Sequence, residues 1–564
     1  MRAAISLLLT LAAAPAFAAS RPPVRAEHGM VASSSALASE AGVEILKKGG
    51  NAVDAAVAVA LALAVTHPTA GNLGGGGFML LRMADGRATA IDYRETAPKA
   101  ATAGMYLDAQ GKVVRDASTL GYRAVGVPGT VAGMELALKK YGTRTFAQVA
   151  APAIRLASRG FLVTQPVAEM LNASAEKLSA NPESARVYLR GNKPYAEGER
   201  MKLPDLARTL ERLGTVGTRD FYTGVLAKKL AADMAAHGGL ITLEDLRDYQ
   251  AKERPVLRGT YRGHEILTMP PPSSGGATLL QELHILEGYD LGKLGPGGSG
   301  ELHLLAEAMR FAFADRARYF GDPDFVKIPI EALTSPAYAT QQRAGIRPDK
   351  ATPSSAIGPN RPPPAEGLHT THFTVIDAKG NVVSNTFTLN LPFGSGVTVP
   401  GTGILLNDEM DDFTSAPNAP NAFGLIQGEA NAIAPSKRPL SSMDPTIVLD
   451  PQGKVWFALG SPGGPTIINT VLQVVVNVID QHLDLQAAID APRIHQQWLP
   501  DVLFYEQNGL NPDTAKVLAG MGYALQQTRW QTFGDCEAVM VEPGTGIRLG
   551  ASDPRNADSA AIGY

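Results

Sequence analysis

Hydroxyl groups crowd into two short runs of this chain, Thr370-Thr371-His372-Phe373-Thr374 and Thr386-Phe387-Thr388-Leu389-Asn390, with a glycine turn between them. Both runs alternate with the period of a β-strand. Phe373 and Val375 fall on one face, and Thr370, His372 and Thr374 on the other. In the second run Thr386, Thr388 and Asn390 share a face. Ala378-Lys379-Gly380 suits a three-residue hairpin loop, a type I turn that ends in a left-handed glycine. With Asp377 then paired to Asn381, Thr370 falls opposite Thr388, unless a β-bulge shifts the register. Two hydroxyls are thereby set side by side at one end of a hairpin. Taken alone, such a row of threonines is ordinary β-propensity on a half-wet face.

The chain is long enough, at 564 residues, for a large core and for more than one domain. With 45% apolar and 19% charged residues it has the composition of a globular protein. A formal net charge of −3, with no basic block interleaved with aromatics, argues against a nucleic-acid partner. At the N-terminus Arg2, the apolar run Ile5 to Ala14 and the triplet Ala16-Phe17-Ala18 form a cleavable export leader, residues 1–18. That run is shorter than the roughly 20 apolar residues of a membrane span. The expected location is the periplasm or beyond, with no membrane span once the leader is removed. Cys536 is the sole cysteine, which excludes an intrachain disulfide and a cysteine-built zinc site. A second apolar run, Ala52 to Val65, follows Asn51 as N-cap and stops at His67-Pro68. It reads as a buried core helix.

Residues 28–250 read mostly as helices, with amphipathic stretches at 129–141, 144–159 and 204–213. Strands are expected at 256–268 and helices at 277–288 and 301–319. The segment 351–369, rich in Pro, Ser and Gly without periodicity, reads as a flexible connector that ends immediately before Thr370. Beyond it the pattern changes to strands at 372–377, 382–390, 402–407, 445–449 and 455–460, then a helix at 465–480. Periodicity alone gives a mixed α and β fold. The run Gly71-Asn72-Leu73-Gly74-Gly75-Gly76-Gly77 has neither a following Lys-Ser/Thr pair nor dinucleotide spacing, so it reads as close backbone packing rather than a phosphate cradle.

The stretch TTHFTVIDAKGNVVSNTFTLNLPFG at 370–394 resembles the signature of the γ-glutamyltranspeptidases (glutathione hydrolases). GGNAVDAAVA at 49–58, THPTAGNLGGGGFML at 66–80, MPPPSSGG at 269–276, MDDF at 410–413, KRPLSSM at 437–443 and GSPGG at 460–464 are similar to the same family, in family order. The resemblance implies an N-terminal-nucleophile hydrolase with an αββα four-layer sandwich. It also implies a precursor that cuts itself at His369–Thr370 through an ester intermediate. A large fragment, 19–369, and a small one, 370–564, would then form a heterodimer. The chemistry explains why cutting matters. An internal threonine has no base of its own, whereas a freed α-amine, with a typical pKa of about 7.7–8.0, is matched to its own hydroxyl.

Thr370 matches the family's nucleophile, and Thr388 matches the threonine that hydrogen-bonds it. Thr371, His372 and Thr374 belong to the motif as structural support. Gly463-Gly464 follows a strand and precedes Pro465, where N–H groups at a helix start make natural oxyanion donors. The resemblance gives these glycines that role. By the same resemblance Arg94, Ser441 and Ser442 bind a substrate α-carboxylate, and Asp412, with Asn390 and Glu409, binds its α-ammonium. The implied reaction passes a γ-glutamyl group from glutathione or related compounds to water or to amino acid or peptide acceptors, with no metal or organic cofactor. Glu409 stands where several bacterial members carry Gln. Phe423, in a lid at about 417–428, stands where bacterial relatives often carry a Tyr, which implies a looser lid. The rival reading is a glutaryl (cephalosporin) acylase of the same fold. A rival of another class is an uncut periplasmic protein that only binds glutamyl compounds.

Overall fold

The computed structural model of the chain describes residues 20–357, 370–414, 428–528 and 533–564. The expected leader, residues 358–369 of the connector and the lid residue Phe423 lie outside the described residues.

Two seven-stranded antiparallel sheets form the centre. One runs in the order Ala560–Gly563, Met30–Ser33, Thr371–Ile376, Val382–Thr388, Gly76–Arg82, Ala88–Asp92, Lys252–Arg254. The other runs Val24–Ala26, Arg548–Ser552, Glu537–Val541, Val455–Gly460, Thr446–Leu449, His264–Thr268, Leu257–Tyr261. Phe78, Leu80, Ile376, Val382, Ile447, Ala458 and Val539 pack between the sheets. The far face of the first sheet, carrying Phe373, Val375 and Phe387, lies against helices Ala36–Lys47 and Ala52–Thr66. The far face of the second, carrying Val448, Phe457 and Leu459, lies against Gly275–Leu286, Ser299–Tyr319 and Thr466–Ile479. These are the four layers, αββα. In both sheets strands from before and after residue 370 are hydrogen-bonded neighbours, so neither part of the chain completes a sheet alone.

The hairpin has the expected register. Thr371 pairs with Phe387 and Ile376 with Val382, without a bulge. Gly380 takes the left-handed conformation, φ +86°, and Asp377 N–H donates to the Asn381 carbonyl at 3.1 Å. The Asp377 carboxylate accepts from the Lys379 and Asn381 N–H groups, and from the Ala52 N–H at the start of the buried helix. That helix spans Ala52–Thr66 with every residue buried. It is capped by Asn51, whose side chain accepts from Val53 and Asp54 N–H while Asp54 answers the Asn51 N–H.

The glycine-rich run is a packing device. A Cβ on Gly75 would stand 2.0 Å from the Thr388 carbonyl oxygen, and one on Gly77 2.4 Å from that of Thr386. Only a bare backbone lets the strand Gly76–Arg82 close on the hairpin. Residues 28–250 are mostly helical among their regular elements, as expected, with eleven α-helices; what the helical reading misses is that the stretch also contributes Met30–Ser33, Gly76–Arg82 and Ala88–Asp92 to the first sheet. The first two are buried throughout, or nearly so, because both faces are covered. They therefore show no alternation of apolar and polar residues. The helices Thr130–Tyr141, Phe146–Arg159 and Pro204–Val216 stand where the amphipathic stretches place them.

Candidate active site

Thr370 sits one residue beyond the last ladder pair of the hairpin, 8% exposed, and its Oγ1 donates to Thr388 Oγ1 at 3.4 Å. Thr388 is fixed from its neighbours. Its hydroxyl accepts the Asn390 N–H at 2.8 Å, and its carbonyl accepts from Asn72 Nδ2 at 2.8 Å. Asn390 has φ +81°, a conformation Asn tolerates better than most residues, and its Nδ2 donates to the Asp408 carbonyl at 3.1 Å.

The His372 ring nitrogens meet Thr386 and Thr374 and not the Thr370 hydroxyl. The side chain is fully buried between the sheets, with its ring 2.8 Å from Thr386 Oγ1 and 2.9 Å from Thr374 Oγ1. A Cβ on Gly460 would collide with that ring, and burial pulls the imidazole down to about 3. A neutral histidine satisfied on both nitrogens is a packing element.

Gly463 and Gly464 lie between the strand Val455–Gly460 and the helix Thr466–Ile479, with φ of +130° and +54°. The Gly463 carbonyl accepts from Thr466 N–H and Oγ1, which turns the loop into the helix. The N–H groups of both glycines are without hydrogen-bond partners among the described residues. Thr370 stands where two clefts meet. Gly464 lines one of them and Gly463 the other. Free donors at a helix start beside a hydroxyl can receive negative charge that develops on a carbonyl oxygen.

The first of these clefts is lined by Thr370, Thr388, Gly464 and Ile467, with Asn390, Glu409 and Asp412 together with Leu440, Ser441, Ser442, Met443 and Arg316. Glu409 and Asp412 are brought there by the short helical turn Glu409–Asp412. Arg94 is fully buried, pairs with both Glu409 and Asp412, and has Glu95 3.8 Å away. One guanidinium therefore faces three carboxylates. Burial opposes the Arg94 charge, yet these acids outweigh it and hold the guanidinium above its ordinary value. Burial pushes Glu95 and Glu409 up. Arg94 thus faces the acids and is not among the residues lining the cleft. Arg94 also donates to the Pro439 and Leu440 carbonyls, at 3.3 and 3.1 Å, directly before the Ser441–Ser442 pair, so it bridges the acids and the serine segment.

Ser441 is held by backbone bonds. Its N–H donates to the Pro272 carbonyl at 3.0 Å, and its carbonyl accepts from Ser274 N–H and Oγ, each at 2.8 Å. The cation beside this pair is Arg316, which the sequence reading left unmarked. It reaches Ser442 Oγ with Nη2 at 2.9 Å and Ser274 Oγ with Nε at 2.8 Å. Burial pulls its guanidinium down to about 10, while Asp412 works the other way. A signal was present. Leu302, Leu305, Met309, Phe313 and Arg316 recur at helical spacing, so Arg316 continues an apolar stripe instead of a solvated face.

A glutathione hydrolase proenzyme from Escherichia coli (strain K12) is 49% identical over 543 residues, covering 96% of this chain and 93% of the relative. Among solved structures, a cephalosporin acylase from Bacillus halodurans superposes with a TM-score of 0.86 at 29% identity, over 99% of both chains. A chain of Helicobacter pylori gamma-glutamyltranspeptidase superposes with a TM-score of 0.57 at 49% identity, over 57% of this chain and 93% of its own. The profile of the gamma-glutamyltranspeptidases matches residues 38–563, and on that match and those identities this chain belongs to the gamma-glutamyltranspeptidase family.

Proposed function

We propose that this chain is a γ-glutamyl transferase and hydrolase that works through an N-terminal threonine. The single observation that carries the reading is the cleft in which the Thr370 hydroxyl shares one pocket with buried acids and a serine pair. An amino-acid head group needs an anion for its ammonium and donors for its carboxylate, and this cleft presents both. Asp412, Glu409 and Asn390 take the ammonium, and Ser441 and Ser442 the carboxylate. In the structure Arg94 pairs with Glu409 and Asp412 and donates to the Pro439 and Leu440 carbonyls beside the serine pair. It takes part in carboxylate binding only as the substrate ammonium replaces it on those acids.

Maturation comes first. Thr370 Oγ1 attacks the His369 carbonyl, the peptide becomes an ester, and water releases the fragments 19–369 and 370–564 as an interlocked heterodimer. The freed α-amine of Thr370 then accepts the hydroxyl proton as the oxygen attacks the γ-carbonyl of the donor. Gly463 and Gly464 N–H groups hold the oxyanion; loss of one such donor typically costs about 2.7–4 kcal/mol. The leaving amine departs with the proton. Water or the amine of an amino acid or peptide resolves the glutamyl ester. Thr388 holds the Thr370 hydroxyl in line throughout. Residues 1–18 direct export, and no helix among the described residues is long and apolar enough to cross a membrane.

The acylase reading takes a glutaryl group, which has the carboxylate but lacks the ammonium. The buried acids favour glutamyl. The test is the ratio of kcat/KM on γ-glutamyl and glutaryl anilides. A preference of about 100-fold or more for glutamyl is expected, the worth of a buried, hydrogen-bonded charge. Equal rates would move the assignment to the acylases.

A further inference from the structure

Arg316 is 2% exposed, on the helix Ser299–Tyr319, and it lines the same cleft as Thr370. Two of its three nitrogens are accounted for, by Ser274 and Ser442. The third, Nη1, is buried and has no hydrogen-bond partner among the described residues. A buried guanidinium with an unmet donor is costly unless something supplies an acceptor. The geometry around it shows what kind. Because Nη2 donates to Ser442 Oγ, that oxygen is occupied as an acceptor, and the serine's own proton is left to point elsewhere. Ser274, held by Nε, donates in turn to the Ser441 carbonyl. One side chain therefore braces both serines from behind and keeps one donor of its own.

We infer that Arg316 is a specificity-determining residue: it orients the Ser441–Ser442 pair and presents Nη1 as the buried positive partner of the donor's α-carboxylate. This rests on the reading that the serine pair binds that carboxylate. Arg94 pairs with the acids and holds the backbone just before the serines, whereas Arg316 reaches the serines themselves, the Ser442 hydroxyl directly and the Ser441 carbonyl through Ser274. The substrate's two charges are thus met by opposite charges at both ends. Lysine could not reproduce this arrangement, since a single ammonium lacks the fork that reaches Ser274 and Ser442 together.

The experiment compares kcat/KM of the mature enzyme on γ-glutamyl anilide and on 4-aminobutanoyl anilide, which keeps the ammonium and the scissile amide but lacks the α-carboxylate. Arg316→Gln is expected to lower kcat/KM on the glutamyl substrate by about 10- to 100-fold, the worth of a hydrogen bond to a charged group. That loss falls mainly on KM, and the 4-aminobutanoyl substrate changes by less than about 3-fold. Arg316→Lys, which keeps the charge, recovers part of the loss, and it is the variant to read if Arg316→Gln does not mature. Equal losses on both substrates, or no loss on either, would reduce Arg316 to a packing residue and overturn the inference. A Ser441→Ala, Ser442→Ala double variant separates the underlying reading. If it keeps full discrimination, the carboxylate is bound elsewhere and that reading fails. If it loses discrimination while Arg316→Gln keeps it, only the inference on Arg316 fails.

Discussion

The Thr370 hydroxyl donates to that of Thr388 across 3.4 Å, from two strands whose register leaves them facing one another. Thr388 is itself braced by the Asn390 N–H, so the pair is held by the hairpin backbone rather than by flexible side chains. Replacing Thr388 with Val removes the partner hydroxyl without changing much volume. Turnover and self-cleavage should both slow by about 10- to 100-fold, the range of a hydrogen bond to a group that becomes charged. Thr388→Ser should restore most of both. Rates of fragment appearance and of anilide hydrolysis check this.

Burial pulls His372 down to about 3, and both its ring nitrogens are engaged by Thr386 and Thr374 rather than by Thr370. His372→Gln should lower Tm by several degrees through lost packing and hydrogen bonds. The shape of the kcat/KM profile against pH should not move. In both enzymes the rate should rise through a pKa of about 7.7–8.0, that of an α-amine becoming neutral. Disappearance of that rise in the variant would make His372 a base after all.

Asp412 meets the cleft and pairs with Arg94. Asp412→Asn removes a buried charge and leaves Arg94 with less compensation. Activity on γ-glutamyl anilide should drop by about 100- to 1,000-fold in kcat/KM, as for truncation of a buried charge pair. Glutaryl anilide, with no ammonium to lose, should be affected far less. A parallel drop on both would show that Asp412 supports the fold and not the ammonium.

Burial pushes the Asp408 carboxyl up to about 8, with Lys177 pulling the other way. Its Oδ1 accepts the Leu391 N–H at 3.0 Å. Its folded value lies above that of the unfolded chain, near 3.9. The folded state therefore binds more protons between about pH 4 and 8, and this contribution to stability is lost as pH rises through that window. Asp408→Asn cannot ionise. Its Tm relative to wild type should climb by a few degrees from pH 4.5 to 8 and then level off. A difference that stays constant across the window would mean that Asp408 does not titrate there.

The hairpin and the capped helix were legible in the sequence because their determinants are local. Alternation and Gly380 define the hairpin, and Asn51 with Asp54 defines the helix start. The strands Met30–Ser33 and Gly76–Arg82 were not, because a strand covered on both faces has no period to read. The two buried arginines divide in the same way. Arg94 carries a motif, but its pairing with Glu409 bridges 315 positions of sequence, and only the fold reveals that the acids claim it. Arg316 carries no motif. Its place on an apolar stripe marks it as buried, and the fold shows what it is buried against.

The central claim is that a cut before Thr370 creates the catalytic amine, and the most direct measurement is the intact mass and N-terminal sequence of the purified protein beside a Thr370→Ala variant. The account predicts a small fragment beginning at Thr370 in the wild type, with activity appearing in step with it, and one uncut, inactive chain in the variant. A wild-type chain that stays uncut under native conditions yet hydrolyses γ-glutamyl anilide would contradict it.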